Sequence, residues 1–221
     1  MREFFQVFLN SLWIIFFLAF IWAVHIIQLT FHLNFTEFGI LPRSFFGLIG
    51  IITSPLIHSL RDINHIINNS FPFLILGWTL FYFYKPIAWR ILLQSWFYTG
   101  VFVWISARNA YHIGLSGVIY SLLFFIFFSG VFRKDKRLLT VALFVVFLYG
   151  SMVWGIFPYD WTISFESHLF GALTGTILAY FSRKEESTFK RQKTQWEIEE
   201  ELGIEPPDFE SIWNEENELK S

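Results

Sequence analysis

Six stretches of the chain, at about residues 10–30, 63–84, 87–105, 115–132, 138–157 and 165–182, are almost wholly apolar. Each is near the ~20 residues a helix needs to cross the hydrocarbon of a bilayer, so the pattern predicts six membrane spans. Between the first and second, about residues 31–62, Phe-, Leu- and Ile-rich pieces are interrupted by Gly39, Pro42, Gly47 and Gly50. That reads as a long first external loop lying on, or partly in, the outer leaflet. Beyond residue 182 the pattern turns polar, with a short helix expected near Lys190 to Leu202 and stops at Gly203 and Pro206-Pro207. The expected organisation is a membrane domain over 1–182 and an acidic tail over 183–221, partly helical or disordered. No internal repeat is visible. The first apolar run lacks a small-residue cleavage site and reads as a retained anchor, not a signal peptide.

Six spans place both termini on one side, and Lys and Arg are retained in the cytoplasm. Lys85 and Arg90, then Arg133, Lys134, Lys136 and Arg137, then Arg183 and Lys184 mark alternate junctions. Cytoplasmic termini follow, in a multi-pass protein expected in the plasma (inner) membrane of a bacterium.

Composition agrees: 54% of residues are hydrophobic, 22% aromatic and only 15% charged, against about a quarter charged in soluble domains. The net charge of -2 hides a division. Residues 183–221 hold 6 basic and 12 acidic side chains, whereas the first 182 hold 10 and 6. No cysteine is present, which excludes disulfides, thiolate nucleophiles and Cys-ligated metals. Neither a metal nor another cofactor is expected, nor a nucleic-acid partner.

Polar side chains inside a span are costly and are functional candidates by default. Gly114-Leu115-Ser116-Gly117 opens the fourth run and His168 lies near the start of the sixth. Ser116 is 17 residues from Arg133, Asn69 is 16 from Lys85, and His168 is 15 from Arg183. At about 1.5 Å per residue, all three sit roughly 22 to 26 Å above the inner edge, in the outer half of the bilayer. His65, four residues before Asn69, shares its helix face. Serine needs a base, and a neutral imidazole is the usual one; His168 is the expected base. The His65/Asn69 face and the backbone N–H of Ser116 are the expected donors to a tetrahedral oxyanion. Gly117, Gly171 and Gly175 would allow two helices to approach closely enough for a serine-to-histidine bond.

Plainer readings compete. A Ser-Gly pair in a membrane helix commonly serves packing, and His25 is expected to bond a neighbour. His112 is a rival base, or a loop histidine facing water. With Arg108 and Asn109 it could line a wet cavity open to the external side. Tyr120 and Trp154 read as core or interface aromatics. The occurrence of Ser, His and Asn at one depth on three runs favours the catalytic reading over these.

These residues resemble the rhomboid family of intramembrane serine proteases, over nearly all of the first 182 residues. Gly114-Leu115-Ser116-Gly117 looks like the family's Gly-x-Ser-Gly motif, His65-Ile-Ile-Asn-Asn69 like its His-xxx-Asn, and His168-Leu-Phe-Gly171 with Gly175 like its His-xx-Gly-xxx-Gly. The resemblance implies an all-α, six-transmembrane-helix rhomboid-like bundle with a Ser116/His168 dyad and no acidic third member. It also implies His65 and Asn69 as oxyanion donors, and Tyr120 as the aromatic that packs on the base. Substrates would be single-span membrane proteins, entering from the lipid bilayer between the second and fifth spans. The fifth span and the loop Phe157 to Ser164 would then act as a gate. Two features depart from the family: the nearest histidine upstream of His65 is His58, seven residues before instead of five, and Trp89-Arg90 lies on the cytoplasmic side.

A soluble hydrolase would show Gly-x-Ser-x-Gly between strand and helix, a metalloprotease His-Glu-xx-His, and an intramembrane aspartyl protease two Asp inside spans. None of these patterns occurs; Asp62, Asp135 and Asp160 fall at junctions. A transporter would need paired broken helices. The expected function is an intramembrane serine endopeptidase cutting near the outer leaflet. The alternative is an inactive rhomboid-like protein that binds transmembrane clients. The tail, with Glu197 to Glu201, Trp196, Phe209 and Trp213, reads as a solvated appendage.

Overall fold

The computed structural model describes residues 2–159, 163–185, 187, 188, 195–204 and 213. The chain divides into two compact units, Met1–Phe189 and Lys190–Ser221. Within the first, the helices are α1 (Arg2–Thr30), a short α2 (Gly50–Thr53), α3 (Asn64–Phe83), α4 (Ala88–Ser106), α5 (Ser116–Arg133), α6 (Lys136–Tyr149) and α7 (Phe165–Phe181). In the second, α8 (Gln195–Glu201) is followed by Gly203 in the left-handed region, with φ of 66°. Asp160, Lys190, Pro206, Pro207 and Phe209 lie outside the described residues. No β-strand occurs among the described residues; a single antiparallel bridge pairs Ile40 with His112.

The architecture is an all-helical membrane bundle. By length and composition, Leu12–Thr30, Asn64–Phe83, Ser116–Arg133 and Lys136–Ile156 could each cross a membrane. α4 and α7 complete the bundle against α5, with small or hydroxylated residues such as Ser95, Thr99, Gly171 and Gly175 at buried positions.

α5 is the central helix, packed on α3, α4, α6 and α7. Its small residues make this possible. Ser121 Oγ hydrogen-bonds Ser95 Oγ of α4 at 2.8 Å in the buried interior. A Cβ added to Gly130 would lie 2.8 Å from the Leu138 carbonyl of α6. Removing side chains from a helix surface is how membrane helices gain close backbone packing. The α5–α6 turn is made by Lys134 in the left-handed conformation, φ 52°, and by Asp135, whose carboxylate accepts from the N–H groups of Arg137 and Leu138.

The first external loop is built of short helical turns. Phe45, Phe46, Ile49 and Ile52 are exposed, whereas Ile40, Ile51, Ile57 and His58 are buried. Arg43 donates to the carbonyl of Ala107 at 2.7 Å at the C-terminus of α4, where a cation meets the negative end of the helix dipole. On the opposite edge, Arg133 donates to the carbonyls of Ser182 and Glu185, and Thr188 N–H donates to the Phe83 carbonyl at 3.0 Å. These bonds tie the segment after α7 to the bundle.

The apolar run expected over 138–157 is not one α-helix. α6 ends at Tyr149, and Gly150–Ile156 continues as a 3-10 helix. Gly150, Ser151 and Gly155 are poor α-formers, and two carbonyls of this segment serve side chains of other helices, as described below.

Candidate active site

Ser116 is the first residue of α5, so its N–H belongs to the opening turn, where backbone donors have no intrahelical partner. Gly114 makes the approach to that turn at φ 108°, a conformation that favours glycine. The backbone before Ser116 is held by the first external loop: Gly114 N–H donates to Ser54 O at 2.9 Å, and Leu115 N–H to His58 Nε2 at 3.4 Å. The Ile40–His112 bridge, bonded in both directions at 3.0 and 2.9 Å, pins the same stretch one turn earlier.

His168 sits in the first turn of α7, buried. Its Nε2 lies 2.8 Å from Ser116 Oγ and its Nδ1 2.9 Å from the Gly155 carbonyl. Helix proximity makes the first bond possible. A Cβ on Gly171 would fall 2.1 Å from the Gly117 carbonyl, and one on Gly175 2.0 Å from the Ser121 carbonyl. No side chain fits at either position. Tyr120 lies flat against His168, with centroids 4.2 Å apart and planes 5° from parallel, and its hydroxyl donates to the Met152 carbonyl at 2.6 Å.

On α3, His65 and Asn69 face Gly114: a Cβ there would sit 2.6 Å from His65 Nε2 and 3.7 Å from Asn69 Nδ2. Ser59 N–H donates to His65 Nδ1 at 3.4 Å, so the ring proton of neutral His65 is on Nε2, toward Gly114. Asn69 is buried and its Nδ2 has no hydrogen-bond partner among the described residues. An amide donor left open in a buried place is unusual, since such groups are nearly always paired.

His112 departs from the expectation of a loop histidine facing water. It is buried, with Nε2 3.1 Å from the Arg108 carbonyl and Nδ1 2.5 Å from Ser164 Oγ. The carbonyl can only accept, so Nε2 carries the proton and Ser164 donates to Nδ1. Ser164 Oγ is in turn 2.7 Å from Ser167 Oγ and caps α7 by accepting from Ser167 N–H. Burial lowers the pKa of His112. The structure thus brings His168, not His112, to the serine. Beside this chain Arg108 Nε and buried Glu166 Oε1 form an ion pair at 3.4 Å. His25 is buried, and its Nδ1 has no partner among the described residues; its ring meets Trp22 edge to face at 6.2 Å. Trp154 is exposed.

His58 was visible in the sequence only as a displaced histidine. The structure sets its ring 5.0 Å from that of His65 at 61°, with its Nε2 on the serine loop. Gly155 and Met152 were not singled out, because a carbonyl that accepts from a distant side chain leaves no residue-type signal. The glycine at 155, where a Cβ would meet Tyr120 Oη at 2.0 Å, is a trace only once the fold is known.

The family model described as the rhomboid domain matches residues 46–185, a span that takes in His65, Asn69, Ser116 and His168. Among similar proteins are an uncharacterized protein of Mycobacterium tuberculosis, 29% identical over 176 residues (74% of this chain, 72% of that one). An uncharacterized protein of Mycobacterium leprae is 29% identical over 175 residues (74% and 68%). With a family match over well more than half its length and an all-helical membrane bundle around it, this chain belongs to the rhomboid family.

Proposed function

We propose that this protein is an intramembrane serine endopeptidase that cuts single-span membrane proteins near the outer leaflet, with Ser116 as nucleophile and His168 as base. The observation that carries the reading is the 2.8 Å contact between Ser116 Oγ and His168 Nε2 inside a helical bundle. In acylation the Oγ proton passes to Nε2 as Oγ bonds the scissile carbonyl carbon. The oxyanion is met by the Ser116 N–H, Asn69 Nδ2 and His65 Nε2–H. His168 returns its proton to the departing amine, and water, deprotonated by the same nitrogen, hydrolyses the ester. Each preorganised oxyanion donor of this kind is worth about 10²–10³ in kcat.

The proposed topology is six spans, with α4 and α7 crossing beside the four more apolar helices, and cytoplasmic termini in a bacterial plasma membrane. Substrates enter laterally between α3 and α6. α6 leans chiefly on α5 and is mostly exposed along its length, which favours it as the movable wall.

The test is cleavage of a generic single-span substrate in liposomes by wild type, Ser116→Ala and His168→Ala. Wild type cleaves and both variants lose all cleavage above background. Retained cleavage in both variants refutes the dyad, and no cleavage by any form across a panel of substrates favours an inactive, client-binding rhomboid-like protein.

A further inference from the structure

We infer that the backbone carbonyl of Gly155 is the orienting group of the Ser116–His168 pair, so that the 3-10 segment Gly150–Ile156 takes the place of the acid of a serine triad. The inference rests on the proposed protease reading, and deepens it by naming what sets the base.

A neutral imidazole carries one N–H, and which nitrogen holds it decides whether the ring can act on serine. The Gly155 oxygen, 2.9 Å from His168 Nδ1, can only accept. The proton is therefore on Nδ1, and the lone pair of Nε2 faces Ser116 Oγ at 2.8 Å. The opposite tautomer would present an N–H to the hydroxyl and could not take its proton. The carboxylate nearest in sequence, Glu166, is engaged by Arg108, and the face of His168 toward α5 is covered by the Tyr120 ring, which offers no acceptor there.

The same segment holds the second ring. Tyr120 Oη donates to Met152 O at 2.6 Å, one 3-10 turn before Gly155, so the two carbonyls leave one side of the segment toward the stacked pair. Glycine at 155 is required by this approach: a Cβ would lie 2.0 Å from Tyr120 Oη and 3.1 Å from His168 Nδ1. Gly155 is a positioning residue that acts through His168. The segment continues directly from α6, which the lateral route makes a moving wall. When it shifts outward both carbonyl bonds break and the base loses its set tautomer; when it seats, the pair is restored. Base orientation and closure are thereby one event.

The test is nitrogen NMR of protein labelled with 15N histidine, with His168 assigned by difference against His168→Gln, alongside kinetics and unfolding in SDS. In wild type at neutral pH, His168 reads as Nδ1–H with Nε2 unprotonated. In Gly155→Ala, an Nε2–H population appears, and kcat falls by about 10² to 10⁴, the range between a misplaced and a mis-protonated base, with KM changed less than kcat. Adding Tyr120→Phe removes the 2.0 Å clash, and the double variant regains the Nδ1–H form and part of the lost kcat. A wild-type His168 in the Nε2–H form overturns the inference. So does a folded Gly155→Ala that keeps the Nδ1–H form, whether active or not. The tautomer is read without substrate, so absence of proteolysis would sink the protease reading while leaving this one decided; if Gly155→Ala does not fold, wild type and the double variant decide it.

Discussion

Replacing Gly171 by alanine tests whether helix proximity is what makes the proposed Ser116–His168 dyad. The new Cβ would lie 2.1 Å from the Gly117 carbonyl oxygen, about 1.3 Å short of the 3.4 Å at which ordinary contact begins, and the obstacle is backbone, which cannot rotate away. α7 must move off α5 by roughly that amount. If the shift acts along the line between the helices, the Ser116 Oγ to His168 Nε2 distance opens from 2.8 Å toward about 4 Å, beyond hydrogen-bond reach. Overpacking of this kind costs about 1–3 kcal/mol, so the protein remains folded, whereas a 1 Å misplacement of reacting groups costs about 10²-fold in rate. The assay is kcat/KM on a single-span substrate in liposomes, paired with labelling of Ser116 by a fluorophosphonate and with unfolding in SDS. A folded variant with both rates down about 100-fold is expected. Gly171→Ala with wild-type kcat/KM would refute the claim that close helix approach sets the dyad.

Asn69→Ala removes an open buried donor; kcat is expected to fall about 10²–10³-fold with KM little changed, and an equal loss in both would assign Asn69 to substrate binding instead. Arg108→Met leaves the buried Glu166 carboxylate without its cation. It should destabilise by about 3 kcal/mol, with Arg108→Met/Glu166→Gln recovering part of that; a double variant worse than the single contradicts the pairing. Burial, reinforced by His65 and His25, holds the His58 imidazole down at about 3, against 6.5 in the unfolded chain. The unfolded state therefore binds a proton that the folded state refuses. His58 imposes no stability penalty above pH 6.5, and the penalty grows by about 1.4 kcal/mol per pH unit as pH falls from 6.5 toward 3. The difference between wild type and His58→Asn in SDS unfolding at pH 7 and pH 5 measures it, and a pH-independent difference would show that His58 titrates normally.

Much of the candidate site's geometry is legible in the sequence. Apolar runs bounded by charges marked α3, α4, α5 and α7 to within about one residue, since lipid forces every backbone group into a helix once a run is long enough. They missed the start of α1 at Arg2 and the end of α6 at Tyr149. Depth counting put Ser116, Asn69 and His168 at one level because helical rise is constant. Gly171 and Gly175 signalled a close crossing because only absent side chains permit one. The 3-10 turn at Gly150–Ile156 was missed because an apolar run carries no mark of where i+4 bonding gives way to i+3.

What the sequence alone determined, then, is the set of helices, the level of the polar groups and the pair of small-residue faces, all properties of local composition and fixed helical geometry. Which partners those groups meet came only with the packed helices: His168 and not His112 at the serine, His58 on the backbone just before Ser116, and the carbonyls of Met152 and Gly155 under the stacked rings. Every residue has a carbonyl, so its use as an acceptor from a side chain 13 or 32 positions away is invisible in residue types. It exists once the helices have packed.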